Sequence, residues 1–433
     1  MVNLLEIPTS RLYALPFEKD SLKLTLETIN SNSNFDFTKF PSSAYEIRKI
    51  SFQNEFLTIG ILFHFEKEER IYLKITQSHL LVSCSVDTDS SYLSRYAYFA
   101  LIRLMSIYQY QNFDNYYWPD FFDKETGVSK YLEIINDRKG FDIFLKDEYS
   151  YFLKPNDYIY YPSNEASIRR PKMLFTNRKA LDNLHKNGLG FCIADTYLFS
   201  WHSNHFPFLI SYRGTLTADK KKIKAFLGFI ITNGEGSDYT PVQIDLCKMS
   251  RRMGQIAQIV GHEIDGPQYR VNLFDDRNLK RFKELFHIWQ DAIIYLPFMP
   301  HTHHLVTFGF KNIKMKPKKT SMIPCRFSEK TPKICFLWID HGDYYELSYR
   351  FKVGEEIYEP MEKYTAFFIR SEGDSKTFYL FDNIADCLLT IFFGERRFKI
   401  FILKAHYEKH FAQFVDALKK KYDFVDCSTK TSC

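Results

Sequence analysis

The sequence predicts an α+β fold that contains more strand than helix. Phe and Tyr, which favour strands, occur 42 and 29 times among the 433 residues. Short apolar runs bounded by glycine, proline or charged turns recur along the chain, whereas amphipathic helical patterns are few. We therefore expect an N-terminal β-β-β-α module, followed by a larger antiparallel β region with a few amphipathic helices.

The N-terminal module is predicted by residues 56–105. Three strand-like runs, FLTIGILF, RIYLKI and HLLVSC, are separated by short polar turns, which is typical of consecutive β-hairpins. A helix should follow, because apolar residues then recur at spacings of three and four: Leu93, Tyr96, Ala97, Ala100, Leu101 and Leu104.

Downstream, residues 172–275 read as short strands between glycine-containing turns. Amphipathic patterns predict helices near 277–294 and 404–422, and two hairpins should turn at 340–343 and 372–374. We expect three segments: the module over 1–110, an irregular, aromatic-rich connection over 111–170, and a β-rich region over 171–433.

The formal net charge of +6, with a pI near 8.6, permits an anionic partner without requiring one. The first twenty residues lack a basic segment followed by an apolar one, and no apolar run approaches the ~18 residues that span a bilayer. The eight cysteines are scattered without a C-x-x-C pair, which is typical of reduced thiols. These features predict a cytoplasmic protein that does not enter a membrane.

The stretch SCSVDTDSSYLSRYA, residues 83–97, resembles the SWIM zinc-finger domain. That domain supplies Cys-x-Cys from a strand end and Cys-x-His from the start of the next helix. Here Cys84 keeps the first ligand position, whereas Val86, Ser94 and Tyr96 occupy the other three. One thiolate cannot hold a structural zinc ion, so we expect no metal or other cofactor, and we expect Val86 and Tyr96 to pack in the core.

The last hundred residues, especially FYLFDNIADCLLTIFFGERRFKIFIL and the helix after it, are similar to a region of bacterial Swi/Snf-class helicase-like proteins. In those proteins a SWIM-bearing, β-rich segment precedes an ATP-driven motor that moves on DNA. This chain has no G-x-x-x-x-G-K-[ST] loop and no G-x-S-x-G nucleophile motif. The resemblance therefore implies a non-enzymatic accessory protein. It would contact a protein partner, for example a motor or a larger complex, or nucleic acid, or both.

Basic clusters are the candidate nucleic-acid-binding residues, because lysine and arginine neutralise phosphates. The alternative is a set of solvated loops, or edge strands whose lysines prevent aggregation. The candidates are Arg169, Arg170, Lys172, Lys311, Lys314, Lys316, Lys318 and Lys319. A further lysine run lies in DKKKIK, residues 219–224.

Two other functions stay open. In PHTHHL, His301 and His303 alternate, so they could share a strand face and bind a metal ion in a metal-dependent hydrolase. They could equally form the polar end of a strand. Alternatively, the chain is a structural subunit of a larger complex, in which exposed aromatic residues between 108 and 122 would anchor the interface.

Overall fold

A computed structural model of the chain describes residues 11–33, 45–64, 66–86, 91–105, 109–137, 140–163, 187–195, 205–230, 239–260, 276–306, 316–361, 365–371 and 376–427. The fold is α+β and strand-rich, with 28% helix and 39% strand, which confirms the predicted class. Contacts divide the chain into two compact units, Met1–Lys154 and Pro155–Cys433. The predicted segment boundaries at 110 and 170 do not coincide with this division.

The first unit contains a five-stranded antiparallel sheet with the order β1-β6-β5-β4-β3. Two-stranded sheets, β2-β7 and β8-β9, complete its strands. The strands are β1 (Tyr13–Pro16), β2 (Lys23–Thr25), β3 (Tyr45–Gln53), β4 (Phe56–Phe63), β5 (Glu69–Ile75), β6 (His79–Cys84), β7 (Tyr110–Asn112), β8 (Leu132–Asp137) and β9 (Gly140–Leu145). The helices in the described part of the unit are α1 (Leu26–Ser31) and α2 (Arg95–Leu104), with single 3-10 turns at Asp114–Tyr116 and Asp147–Tyr149.

The predicted β-β-β-α order is present as β4, β5, β6 and α2. Helix α2 begins after Ser94, whose hydroxyl accepts a hydrogen bond from the Ala97 N–H at 3.2 Å and so caps the first turn. Its buried face packs aromatic rings on the sheet: Phe99 lies 5.4 Å from Tyr45 and 5.7 Å from Phe63, between ring centroids. The module is therefore held by an apolar core.

The second unit contains a seven-stranded sheet with the order β12-β11-β10-β13-β14-β19-β18. Its strands are β10 (Asn187–Ala194), β11 (Phe208–Leu216), β12 (Ile223–Phe229), β13 (Thr302–Leu305), β14 (Met322–Ser328), β18 (Phe368–Arg370) and β19 (Lys376–Leu380). β10 pairs with β13 in parallel, and so does β14 with β19. The prediction of an antiparallel region is thus wrong for these pairs, because the paired strands are joined by long crossovers that no local pattern reveals.

A smaller sheet of the second unit has the order β17-β16-β15-β21, and β20 also pairs with β16. Its strands are β15 (Lys333–Asp340), β16 (Tyr344–Val353), β17 (Glu356–Tyr358), β20 (Lys399–Leu403) and β21 (Asp423–Asp426). β15 and β21 are parallel, whereas β15 and β16 form the predicted antiparallel hairpin.

Among the longer helices described in the second unit, two were predicted from the sequence and two were not. The predicted pair are α4 (Asp276–Ala292) and the C-terminal helix, which runs as α6 (Lys404–His406), a π-helical turn (Tyr407–Phe411) and α7 (Ala412–Lys421). The other two are α3 (Pro241–Ile256), in a region that was predicted to form strands, and α5 (Ile384–Gly394).

Helix α4 covers one face of the seven-stranded sheet. The Trp289 ring packs edge-on against Phe368 with centroids 4.8 Å apart, and its Nε1–H donates to the Pro207 carbonyl at 3.0 Å. Burying this indole with its polar atom satisfied makes Trp289 an anchor between the helix and the strands.

Helix α3 closes part of the sheet edge. β12 pairs with β11 only from Tyr212 onward, so the start of β11 would expose its backbone. The Ser250 hydroxyl accepts from the Ser211 N–H at 3.0 Å, and the Met253 sulfur accepts from the Leu209 N–H at 3.3 Å. The helix therefore protects the half of this edge that β12 does not reach.

On the face opposite α4, the Tyr212 side chain crosses directly over Gly190. A Cβ atom at position 190 would overlap the Tyr212 ring and hydroxyl, and Tyr212 is fully buried. The absence of a side chain at Gly190 is thus what allows β10 and β11 to pack here.

We predict that Gly190→Ala lowers the free energy of unfolding by about 2–3 kcal/mol, because the buried Tyr212 ring has no space to move into. Gly228→Ala, in strand β12 of the same sheet, is the matched control, since a Cβ there would meet no atom within 4 Å. Urea unfolding of both variants tests this; equal effects of the two substitutions would contradict it.

Candidate functional site

The four positions that correspond to SWIM zinc ligands have structural roles in the first unit. Cys84 is buried at the end of β6, and Ser94 caps α2. Tyr96 is buried, as expected, and its hydroxyl donates to the Glu66 carboxylate at 3.0 Å. Val86 is 43% exposed, so the expectation that it packs in the core is wrong; it lies beyond the last paired residue of β6, where the sheet no longer covers it.

The aromatic residues of the first unit between 109 and 122 point mostly inward. Phe113, Tyr116, Tyr117, Trp118, Phe121 and Phe122 are buried, and Tyr110 is exposed. Phe52 of β3 packs against both Tyr116 and Phe122, with centroids 6.2 and 5.4 Å apart. These rings fill a core, so the expectation that this stretch provides exposed interface anchors is wrong for the buried ones.

The second unit has an unusual central strand. β13 joins β10 to β14, and three of its four residues, Thr302, His303 and His304, are polar and buried. Each has a partner: the Thr302 hydroxyl donates to the Cys325 carbonyl at 2.6 Å, and the two histidines bond side chains of other strands. Buried polar groups are tolerated when they are paired in this way.

His303 lies on the sheet face opposite α4, above Gly190 and beside Tyr212. Its Nδ1 is 2.6 Å from the Tyr212 hydroxyl, and the Tyr212 and Phe226 rings pack edge-on against the imidazole. Burial, assisted by the neighbouring His301, lowers the pKa of His303 to about 4, and burial also lowers the pKa of His301. Both imidazoles are therefore neutral at pH 7.

His301 and His303 thus lie near each other, as the alternating pattern predicted. Among the residues that the structure describes, however, no group of three or more His, Cys, Asp or Glu side chains is arranged to hold a metal ion. The described residues therefore give no support to a metal-dependent hydrolase at this strand.

His304 points the other way, under α4, and contacts the one buried acid at the end of β10. Its Nε2 is 3.0 Å from Asp195 Oδ2, and the two side chains are 1% and 2% exposed. Within the described residues, His304 Nδ1 and Asp195 Oδ1 have no hydrogen-bond partner. Asp195 was not among the predicted site residues; its signal in the sequence is an acid directly after an apolar strand, in FCIAD.

Of the eight basic candidates, Arg169, Arg170, Lys172, Lys311 and Lys314 lie outside the described residues. Lys316, Lys318 and Lys319 are exposed in the segment that leads into β14. This segment is ordered by a buried Pro317, by a hydrogen bond from the Ser321 N–H to the Lys318 carbonyl (3.0 Å), and by one from the Val306 N–H to the Ser321 carbonyl (3.1 Å). In the described chain none of the three lysines forms an ion pair.

A second lysine group, Lys220, Lys221, Lys222 and Lys224, lies on the hairpin between β11 and β12. β14 begins beside the carboxyl ends of β10 and β13, whereas the hairpin turn lies at the amino end of β10. The two groups therefore occupy opposite ends of the sheet. β11 has nine residues, so they are separated by about 30 Å.

Six described cysteines carry free thiols: Cys84, Cys192, Cys247, Cys325, Cys335 and Cys387. Cys427 is disulfide-bonded, so the expectation that all cysteines are reduced is wrong at this position. Burial raises the pKa of Cys192 and Cys325, which disfavours their reactive thiolate forms. A search of the described helices finds none that is both long and apolar enough to cross a membrane.

Comparison with known proteins gives no relative: no family model, no curated protein and no solved structure matches this chain.

We predict that the second unit loses stability as the pH falls from 6.5 to 4. The unfolded chain takes up a proton at His303 near pH 6.5, but the folded chain does so only near pH 4. The contribution is present above pH 6.5 and is lost through this window, by about 1–3 kcal/mol. His303→Gln, which keeps a polar group for Tyr212 but does not titrate, should have a shallower decline in urea unfolding.

His79→Gln, in the first unit, is the control for the loss of one imidazole as such. An unchanged pH dependence in His303→Gln would contradict the assignment of this decline to His303.

Proposed function

We propose that this chain is a non-enzymatic, cytoplasmic accessory protein that binds nucleic acid through Lys316, Lys318 and Lys319, and that acts together with a protein partner. The observation that carries the proposal is a set of three exposed lysines that form no ion pair within the described residues, held on an ordered segment next to β14. Lysines that already form ion pairs contribute little to the affinity for a polyanion. Unpaired lysines bind phosphates and release the counterions that the phosphates had held.

The ordered backbone distinguishes this segment from a solvated lysine-rich loop. Pro317 is buried, and Lys319–Ser321 forms a 3-10 turn that continues into β14. The ammonium groups are therefore presented from a fixed base, which reduces the conformational entropy lost when they contact successive phosphates. Lys316, Lys318 and Lys319 lead into β14, which is paired on both sides, so these lysines do not protect a sheet edge.

The accessory role rests on the resemblance to helicase-associated regions. The order of β4, β5, β6 and α2 supports that relation, and so do the strand β20 and the helix after it. In this proposal the chain hydrolyses no ATP and supplies binding to a motor or a larger complex that is encoded separately. Six of the seven described cysteines carry free thiols, which favours a reducing compartment, whereas the disulfide of Cys427 does not.

We predict that the variant Lys316→Ala/Lys318→Ala/Lys319→Ala binds duplex DNA roughly tenfold more weakly at ~0.1 M salt. The dependence of log K on log salt should also become shallower by about 2–3, because up to three phosphate contacts are lost. Fluorescence anisotropy with a labelled duplex, over a series of salt concentrations, measures both quantities.

The matched control is Lys280→Ala/Lys409→Ala/Lys420→Ala, which removes the same charge from exposed positions on α4 and the C-terminal helix that form no ion pair in the described chain. Equal losses in both triple variants would show that only net charge matters. Salt-independent binding, or no binding by the parent chain, would overturn the nucleic-acid proposal.

A further inference from the structure

The seven-stranded sheet carries no acidic side chain on its strands. As the structure describes them, β10, β11, β12, β13, β14, β18 and β19 contain no Asp and no Glu. Their basic residues are Arg213, Lys224, Arg326, Arg370 and Lys376. Asp195, which follows β10, is buried against His304 on the face that α4 covers. An anion that approaches the opposite face therefore meets no carboxylate from these strands.

His301, His303 and Arg326 lie on that opposite face. Strand β13 pairs with β14 in antiparallel register from His303 onward. The hydrogen bond from the Thr302 hydroxyl to the Cys325 carbonyl continues this alignment by one residue. The next pair in the same register is His301 and Arg326. Opposite side chains of adjacent strands have Cβ atoms roughly 4.5–5.5 Å apart, so the two imidazoles and the guanidinium can contact one small group.

The two imidazoles lie in a recess that is open toward β14. His301 and His303 are 4% and 9% exposed, and the Tyr212 ring packs edge-on against His303 on the β11 side. Arg326 is exposed on the same face, because the next residue, Phe327, points the other way and packs against α4. A small molecule can therefore reach both imidazoles past Arg326.

The His301 side chain is buried without a hydrogen-bond partner. In the described chain neither of its ring nitrogens is bonded, although neither is fully enclosed. Polar side chains that are buried to this extent are nearly always bonded to protein, to water or to a ligand. Arg326 likewise forms no ion pair or hydrogen bond with a described residue. Both groups are therefore available to a ligand from outside the chain.

His303 presents a hydrogen-bond donor in the same recess. Its Nδ1 lies 2.6 Å from the Tyr212 hydroxyl, which has no other partner among the described residues. Burial raises the pKa of Tyr212, so the hydroxyl keeps its proton and donates it to Nδ1. A neutral imidazole whose Nδ1 accepts a hydrogen bond carries its own proton on Nε2. Tyr212 therefore holds the ring so that its Nε2–H remains free for a ligand.

We propose that His301, His303 and Arg326 bind the phosphate group of a small phosphate monoester. The Arg326 guanidinium contacts two of the phosphate oxygens, as is usual for this pair of groups. The N–H groups of the two imidazoles donate to the third oxygen and to one that Arg326 also contacts. A monoester phosphate offers three such oxygens, whereas a carboxylate offers two, so this set of donors is matched to phosphate.

The recess favours a small molecule over the nucleic-acid backbone. A backbone phosphate carries a sugar on both sides, whereas a monoester phosphate has one substituent and can enter the recess end-on. Duplex binding relies on cations that reach several phosphates, but the imidazoles here are recessed. This inference does not rest on the proposed function, which uses Lys316, Lys318 and Lys319.

The test uses the full chain and inorganic phosphate at neutral pH, with the ionic strength held constant by chloride. Isothermal titration calorimetry should give saturable binding of one phosphate per chain. Arg326→Gln should weaken binding at least about tenfold, and His301→Gln about threefold or more, because hydrogen bonds to a charged group are lost. The control Arg213→Gln removes the same charge from an exposed position of β11, where the side chain bonds Tyr239, and should leave phosphate binding unchanged.

NMR spectra of the histidine ring C–H groups locate the bound phosphate. The resonances of His301 and His303 should shift during the titration, whereas that of His79 in the first unit should not. Glycerol phosphate should bind as inorganic phosphate does, and acetate at least about tenfold more weakly, because it accepts fewer of the hydrogen bonds. Equal losses in Arg326→Gln and Arg213→Gln, equal binding of acetate and phosphate, or unmoved His301 and His303 resonances would overturn the proposal.

Phosphate binding and DNA binding can fail separately. If Arg326→Gln weakens duplex DNA binding as much as phosphate binding, the recess belongs to nucleic acid and the small-molecule proposal is overturned. If the Lys316/Lys318/Lys319 variant loses DNA binding but keeps phosphate binding, both proposals are supported. A parent chain that binds phosphate through Arg326 but binds no DNA would support this site and overturn the nucleic-acid part of the proposed function.

Discussion

The second unit depends on the hydrogen bonding of one short polar strand. β13 is four residues long, yet it connects the β12-β11-β10 half of the seven-stranded sheet to the β14-β19-β18 half. A buried polar group without a partner costs roughly 1–3 kcal/mol. Without partners, Thr302, His303 and His304 would therefore destabilise the sheet at this position. Their hydrogen bonds to Cys325, Tyr212 and Asp195 remove most of that free-energy cost.

Those hydrogen bonds also fix the positions of neighbouring side chains and strands. The Tyr212 hydroxyl reaches His303 only because Gly190 has no side chain, and the same Tyr212 ring supports Phe226 of β12. On the other face, Asp195 ties the end of β10 to His304 beneath the layer that Trp289 of α4 anchors. The strand β12 is thus positioned by contacts that lead back to β13.

Several elements could be predicted because their signals are local. The hairpin of β15 and β16 and the stripe of α4 depend on neighbours a few residues apart. Helix α3 also carried a local signal that was not used: Thr240 and Gln243 form a capping box, with Pro241 at the first helical position. Helix α5, in contrast to α4, has no apolar stripe in its sequence. Ten of its eleven residues are buried, so no amphipathic period marks it.

The remaining features depend on contacts between residues far apart in the chain. The parallel pairing of β10 with β13 brings residue 195 to residue 304, and no spacing rule connects them. For the same reason the sequence suggested His301 and His303 as a pair, but it suggested neither the contact of Tyr212 with His303 nor that of Asp195 with His304. The lysines at 316–319 could be identified from composition, but their separation from the 220–224 group follows only from the strand directions.

Adjacent histidines on opposite faces have a consequence for how β13 finds its register. A slip by one residue normally exchanges apolar for polar side chains and is strongly disfavoured. In HTHHL, one direction of slip would still set a histidine, His303, beside Asp195, and would set Thr302 beside Tyr212. The misaligned strand keeps both polar partners, so the side chains at these two positions discriminate weakly between the two alignments. The correct alignment then rests on the burial of the apolar Leu305, whose place His304 would take, and on the hydrogen bond from the Thr302 hydroxyl to the Cys325 carbonyl.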